Sequence, residues 1–285
     1  MFRNAICCLA ICVFLLTAPT AGYTASQQPL TFGVITQRSI IMTAQYWNPI
    51  LSYLEQKTGV PLVLKIEKTA PEHAQQVGRG SYDLIYSNHF FTRSNAKIGY
   101  RVVARPLGAA IAGEIVVPED SAITRIEDLG GKEIGFPSPA AFVAYAVTMD
   151  ALTRRGIRFT PVFAGNQEGI MGQLKAKRVV AASVNSQVMR EYATRERFRY
   201  RVLWRSPEYL NIPIAAHPRV SDKTAAAIRE ALTGMAKNPE GIHILEQGGV
   251  LIGQSQPYGF VRAGNREYLN QWEFYKQTSV PESHP

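Results

Sequence analysis

Between residues 30 and 104 the spacing of apolar positions switches repeatedly between about two and about 3.6, the periods of a strand and a helix. Leu30, Phe32 and Val34 alternate with Thr31, Gly33 and Ile35, which reads as a strand. Trp47, Ile50, Leu51 and Leu54 then fall at i, i+3, i+4 and i+7, the stripe of an amphipathic helix that closes on Lys57 and Gly59. The alternation continues with a strand over 61–66, a helix over 70–77, a strand over 82–86, a helix over 90–96 and a strand over 100–104. Small residues gather at 108–113, and a second series begins there with strands over 114–117, 133–136, 161–164 and 179–184. Within it, Val143, Val147 and Ala151 share a stripe beside Phe142, Ala146 and Met149, and that helix stops at Arg154-Arg155-Gly156, where cations suit the negative helix end. A strand over 200–204 and an Ala-rich helix over 221–235, with Ser221 as N-cap, complete the pattern. Strands alternating with helices of this size predict βαβ units, and two successive series predict two α/β units with largely parallel sheets.

The pattern breaks at the N-terminus. Arg3, an apolar run from Ala5 to Leu16 and small residues closing on Ala25 have the layout of a secretory signal over residues 1–25. The run is short for a membrane span, and no later stretch reaches 18 apolar residues, so export to a periplasm without stable membrane insertion is the expectation. Cys12 comes after Leu9-Ala10-Ile11, a faint lipoprotein box, but cleavage there would leave most of the hydrophobic run on the product. Cys7, Cys8 and Cys12 are the three cysteines of the 285-residue chain, so the portion beyond residue 25 has no thiol for a disulfide or a metal. Because Arg3 is the one charged residue of the leader, the remainder carries 30 cations against 22 anions, or +8. Its arginines are scattered among acids and aromatics, and no nucleic-acid motif accompanies them, so no nucleic acid partner is expected.

Candidate chemistry sits at the ends of the strands, where open α/β sheets bind ligands. The five relevant loops read Thr36-Gln-Arg-Ser39, Tyr86-Ser-Asn-His89, Pro137-Ser-Pro-Ala140, Gly165-Asn-Gln-Glu168 and Asn185-Ser-Gln187, all polar and all leading into helical patterns. The most pointed is IGFPSPAAF, 134–142, in which an apolar run stops at a Pro-Ser-Pro turn and a helix begins. Helix starts carry N–H groups without intrahelical partners, so converging starts would cradle a small anion. The chain after the leader has no cysteine nucleophile, no HExxH or HxxEH, no GxSxG and no GxxxxGK, and its histidines are far apart. Neither an enzyme nor a cofactor is therefore expected.

The stretches IVVPEDSAITRIEDLGGKEIGF (115–136), the Pro-Ser-Pro turn and VAYAVTMDALTRRGI (143–157) resemble the second lobe of type II periplasmic solute-binding proteins. The resemblance is to the phosphate/phosphite/phosphonate-binding family of ABC transporters in particular, and it covers nearly all of the chain beyond the leader. It implies an α/β, two-lobed fold in which each lobe is a mostly parallel sheet flanked by helices. Because the family's chain recrosses, lobe one is expected over 26–107 plus 210–285 and lobe two over 108–209. It further implies a monomer that holds a small anionic ligand and presents it to an ABC permease, or in a sensing system to a histidine kinase ectodomain.

The resemblance also nominates residues. It places a ligand contact in the loop of Tyr86, Asn88 and His89, and a serine beside the phosphonate at Ser138, with Ala140 in the same turn. Two positions depart from the family's pattern. Where Gly-Ser-His-Asp is common, Gly165-Asn166-Gln167-Glu168 stands here, and the later acidic contact is Asn185. A phosphonate amine would thereby lose its carboxylate partner, whereas a neutral amide lining suits a compact oxyanion or a polar organic anion. Arg38 is the strong candidate for a guanidinium clamp. Tyr145 lies off the apolar stripe, which leaves its hydroxyl free to reach the cleft, while Trp47 and Phe142 read as core.

Overall fold

The computed structural model describes residues 28–282, so the expected leader lies outside the described residues. In chain order the elements are β1 (Leu30–Val34), α1 (Ile40–Thr58), β2 (Leu62–Ile66), α2 (Ala70–Gly78), β3 (Leu84–Tyr86), β4 (Arg101–Pro106) and β5 (Gly113–Pro118). They continue with β6 (Glu133–Phe136), α3 (Thr148–Arg154), β7 (Thr160–Phe163), α4 (Gln167–Lys175), β8 (Ala181–Asn185), α5 (Ser186–Glu196) and β9 (Tyr200–Arg205). The chain ends with β10 (Ile214–Ala216), α6 (Asp222–Gly234), α7 (Pro239–Ile252), β11 (Phe260–Arg262) and α8 (Leu269–Gln277).

These strands form two sheets, one of six strands in the order β11-β4-β10-β3-β1-β2 and one of five in the order β7-β6-β8-β5-β9. Both sheets are mixed. In the first, β1 runs parallel to β2 and β3, while β10 is antiparallel to β3 and β4 because the chain returns to this sheet from the other side. In the second, β6 runs parallel to β7 and β8, and β5 lies antiparallel between β8 and β9. Most strands of each sheet still share one direction, and helices cover the faces. Along β5, Ile115 and Val117 enter one apolar cluster and Val116 the opposite one, so both faces are buried and residues 115–117 read as an unbroken apolar run.

Local chemistry explains the boundaries. Ser39 caps α1, and Gly59 ends it in the left-handed conformation at φ 68°. Ser221 caps α6 through a bond from the Thr224 amide, as its position predicts. The expected helix over 90–96 is instead two 3-10 turns, His89–Phe91 and Ala96–Ile98. The Thr92 hydroxyl and the Asn95 amide both donate to the His89 carbonyl, the acceptor that a continuing helix would need, and Thr92 itself is extended. Phe90 and Phe91, adjacent in sequence and both fully buried, hold that break in place.

The helix after the Pro-Ser-Pro turn also differs from a plain α-helix. It opens with a π-helical turn over Phe142–Val147 before α3 begins. This widened turn brings the Val143 carbonyl against the backbone of Gly113, so close that a Cβ at that position would lie 2.1 Å from the oxygen. Only glycine fits there. Phe142 meanwhile packs edge-on against Tyr209 and Phe274, and Tyr275 of α8 joins the same cluster, so the last helix touches elements of both sheets.

Candidate functional site

All five polar loops after the strand ends meet at one cavity of about 30 Å³ between the two sheets. From the first sheet come Thr36, Gln37 and Asn88, with Ala70 at the start of α2. From the second come Pro137, Ser138, the first residues of the π-helical turn, Gly165, Asn166, Gln167 and Asn185. Among the described residues, none that lines this cavity carries a charge.

The lining is organised to donate. Asn166 caps α4, its Oδ1 accepting from the Gly169 amide at 2.8 Å, and Asn185 caps α5, its Oδ1 accepting from Gln187 at 2.9 Å. With each oxygen given over to its own helix, the Nδ2 groups keep their hydrogens for whatever the cavity holds. In the π-helical turn the first internal bond runs from Ala146 to the Ala141 carbonyl, which leaves the amides of Phe142, Val143 and Ala144 beside the cavity without intrahelical acceptors. Asn88 is buried, and among the described residues its amide makes no side-chain hydrogen bond; it precedes a 3-10 turn that it does not cap.

Ser138 is also buried, and its hydroxyl accepts from the Ala140 amide at 3.0 Å while its own hydrogen remains available. The next helix is preceded by Ala141 and has no side-chain cap, so Ser138 shapes the turn rather than capping a helix. Gln167, which sequence reasoning passed over as a site residue, ties two loops together by accepting from the Asn185 amide at 3.1 Å. Its signal was position alone, within a polar strand-to-helix loop.

Not every nominated residue lies in this cavity. Tyr86 and Arg38 line a neighbouring chamber of about 40 Å³, with Tyr46, Trp47, Phe260, Gln187 and Asn211. Trp47, placed in the core by its stripe, is buried yet also forms a wall of this chamber, with the Tyr86 ring packed at 4.9 Å. Burial pushes the Tyr86 hydroxyl well above its ordinary range, so it stays protonated. Arg38 does not line the cavity between the sheets; its guanidinium pairs with Glu191 of α5, the two side chains being 14% and 5% exposed. Sequence could not show that pair, since it joins residues 153 positions apart.

His89 and Ala140 meet behind the turn. The buried His89 Nε2 donates to the Ala140 carbonyl at 2.9 Å, reaching from the first sheet to the Pro-Ser-Pro turn of the second. Burial lowers its pKa to about 4 against the raising effect of that bond, so the ring is neutral. His73 lies 5.5 Å away, ring to ring, and its own burial also holds it well below the ordinary histidine range. Tyr145 stands apart from the cleft, packed on Phe136 at 5.4 Å and Phe163 at 5.6 Å.

Comparison with known proteins identifies the family and the fold. Residues 32–268 match the family model of the ABC transporter phosphonate periplasmic substrate-binding protein. The fold is similar to that of a binding-protein component of an ABC phosphonate transporter from Pseudomonas aeruginosa, at 18% identity and a TM-score of 0.73, over 88% of this chain and 87% of that one. It is also similar to PhnD1 from Prochlorococcus marinus, solved with methylphosphonate, at 14% identity and a TM-score of 0.74, over 88% and 98% of the two chains. A Xanthomonas citri protein solved with ATP aligns at 14% identity and a TM-score of 0.66, over 88% and 98%. No curated protein matches the chain by sequence.

Proposed function

The chain belongs to the phosphonate-binding family of periplasmic ABC transporter proteins, and from that premise we propose that it captures a small phosphorus oxyanion between two lobes and delivers it to a permease. The observation that carries the reading is the charge-free, donor-lined cavity at which the starts of α2, the π-helical turn, α4 and α5 converge. Each helix start favours an anion by about 0.3–1 kcal/mol at ordinary exposure, and more where water is excluded. Backbone and amide N–H groups around one cavity suit an oxyanion, whose oxygens accept several hydrogen bonds at once.

The lobes in this reading are 26–107 plus 210–285 and 108–209, one around each sheet, and residues 1–25 are a leader removed on export. Among the described residues no helix is long and apolar enough to cross a membrane. The matched relatives are described as transporter components, and this favours delivery to a permease over presentation to a histidine kinase. A calorimetric screen of the leader-free protein against phosphate, phosphite, methylphosphonate, sulfate and small carboxylates tests the proposal. Saturable one-to-one binding confined to the phosphorus oxyanions is expected, and tight binding of a carboxylate alone would overturn it.

A further inference from the structure

The geometry points to a division of the site into two subsites, in which the chamber beside the anion cavity takes the organic arm of the ligand and the Arg38–Glu191 pair restricts that arm to a small uncharged group. This rests on the oxyanion reading above. The two spaces are neighbours, since Ile35 and Gln37 line both. An anion held in the first would point its substituent into the second. At about 40 Å³ the chamber admits a group of a few heavy atoms.

Its walls combine an aromatic group, with Tyr86 at 4.9 Å and Phe260 at 6.2 Å from the Trp47 ring, and the neutral polar side chains of Gln37, Thr43, Gln187, Asn211 and Gln254. Among the described residues, Arg38 is the one charged side chain that lines it. That charge is already matched, because one Glu191 oxygen takes the Arg38 guanidinium and the other accepts from Gln187 at 2.8 Å. A cationic arm would lie beside a guanidinium with no free carboxylate to receive it. An anionic arm would have to compete with Glu191 for Arg38. An uncharged arm rests against the aromatic rings and disturbs neither charge.

Calorimetry on the leader-free protein with methylphosphonate, ethylphosphonate, 2-aminoethylphosphonate and phosphonoacetate tests this, with the melting temperature as fold control. The parent should bind ethylphosphonate at least roughly tenfold more tightly than either charged-arm compound. Arg38→Met exposes Glu191 and should shift preference toward 2-aminoethylphosphonate by about tenfold or more, while Glu191→Gln frees Arg38 and should shift it toward phosphonoacetate. The double variant should return to the parental order. If Arg38→Met does not fold, Glu191→Gln and the double variant carry the test. Equal binding of charged and uncharged arms by the parent, or an unchanged order in the folded variants, overturns the arm assignment and leaves the oxyanion reading standing. Failure of every phosphorus oxyanion to bind overturns both.

Discussion

Ser138 shows how one side chain serves two purposes in this cleft. Its oxygen accepts from Ala140 and fixes the turn, while its hydrogen is left for a ligand in the cavity it lines. Ser138→Ala should weaken oxyanion binding by about 0.5–1.5 kcal/mol if the bond is neutral in character and about 1.5–3 kcal/mol if the acceptor is charged, as read by calorimetry. Ser138→Asp should weaken it further with little change in melting temperature, because a carboxylate can still receive the Ala140 amide but repels an anion; unimpaired binding by that variant would place the ligand elsewhere. His89 carries a different expectation. Its pKa is about 4 in the fold and near 6.5 when unfolded, so the unfolded chain binds the extra proton and stability falls as pH drops from about 6.5 toward 4. The loss approaches about 1.4 kcal/mol per pH unit for each such imidazole, and His73 adds to it in the same direction. His89→Gln, which keeps a donor for the Ala140 carbonyl, should flatten the dependence of melting temperature on pH; an unaltered slope would count against the buried neutral ring. Ser138, Asn166 and Asn185 were legible because each stands at a strand-to-helix junction, a local signal. The pairing of Arg38 with Glu191 was not, since only the fold brings those side chains together.

Among the elements, the π-helical turn is the one on which the cavity most depends. Its geometry turns the Val143 carbonyl to Gly113 and sets the Phe142, Val143 and Ala144 amides beside the cavity. Gly113→Ala would force a carbon to within 2.1 Å of that carbonyl, so the turn has to shift. A loss of about 1–3 kcal/mol in denaturant unfolding is expected, together with weaker oxyanion binding in the fraction that folds; a variant of parental stability would show that the turn is not fixed by this contact. Apolar periodicity anticipated most of the strands and the helices α1, α2, α3 and α6, because burial on one face imposes the period directly, but it left α4, α5, α7 and α8 unread. It could not anticipate the π-helical turn, whose cause is a close approach to a distant strand, nor the replacement of a helix by two 3-10 turns, which depends on Thr92 and Asn95 competing for one carbonyl.

For the whole molecule, the described arrangement has the two sheets' elements in contact across the cleft, through His89 with Ala140, Arg38 with Glu191, and Asn211 with Gln187. These contacts suit a closed form that ligand favours over an open one. Small-angle scattering should therefore give a smaller radius of gyration at saturation than without ligand, and an unchanged profile at proven saturation would reject closure about a hinge. The second crossing of the chain between the sheets was legible only through family resemblance, because β10 is three residues long and its partners β3 and β4 lie far back in sequence. The absence of charged residues around the anion cavity reaches beyond selectivity. A binder that attracts its ligand with exposed arginines loses affinity as ionic strength rises, since dissolved ions screen such charges over about 8–10 Å. Buried N–H groups act at contact distance, where no mobile ion intervenes. The dissociation constant for an oxyanion, measured by calorimetry, should then rise only gently with sodium chloride, through screening of the +8 carried beyond the leader, and a steep rise would show that charged groups hold the anion.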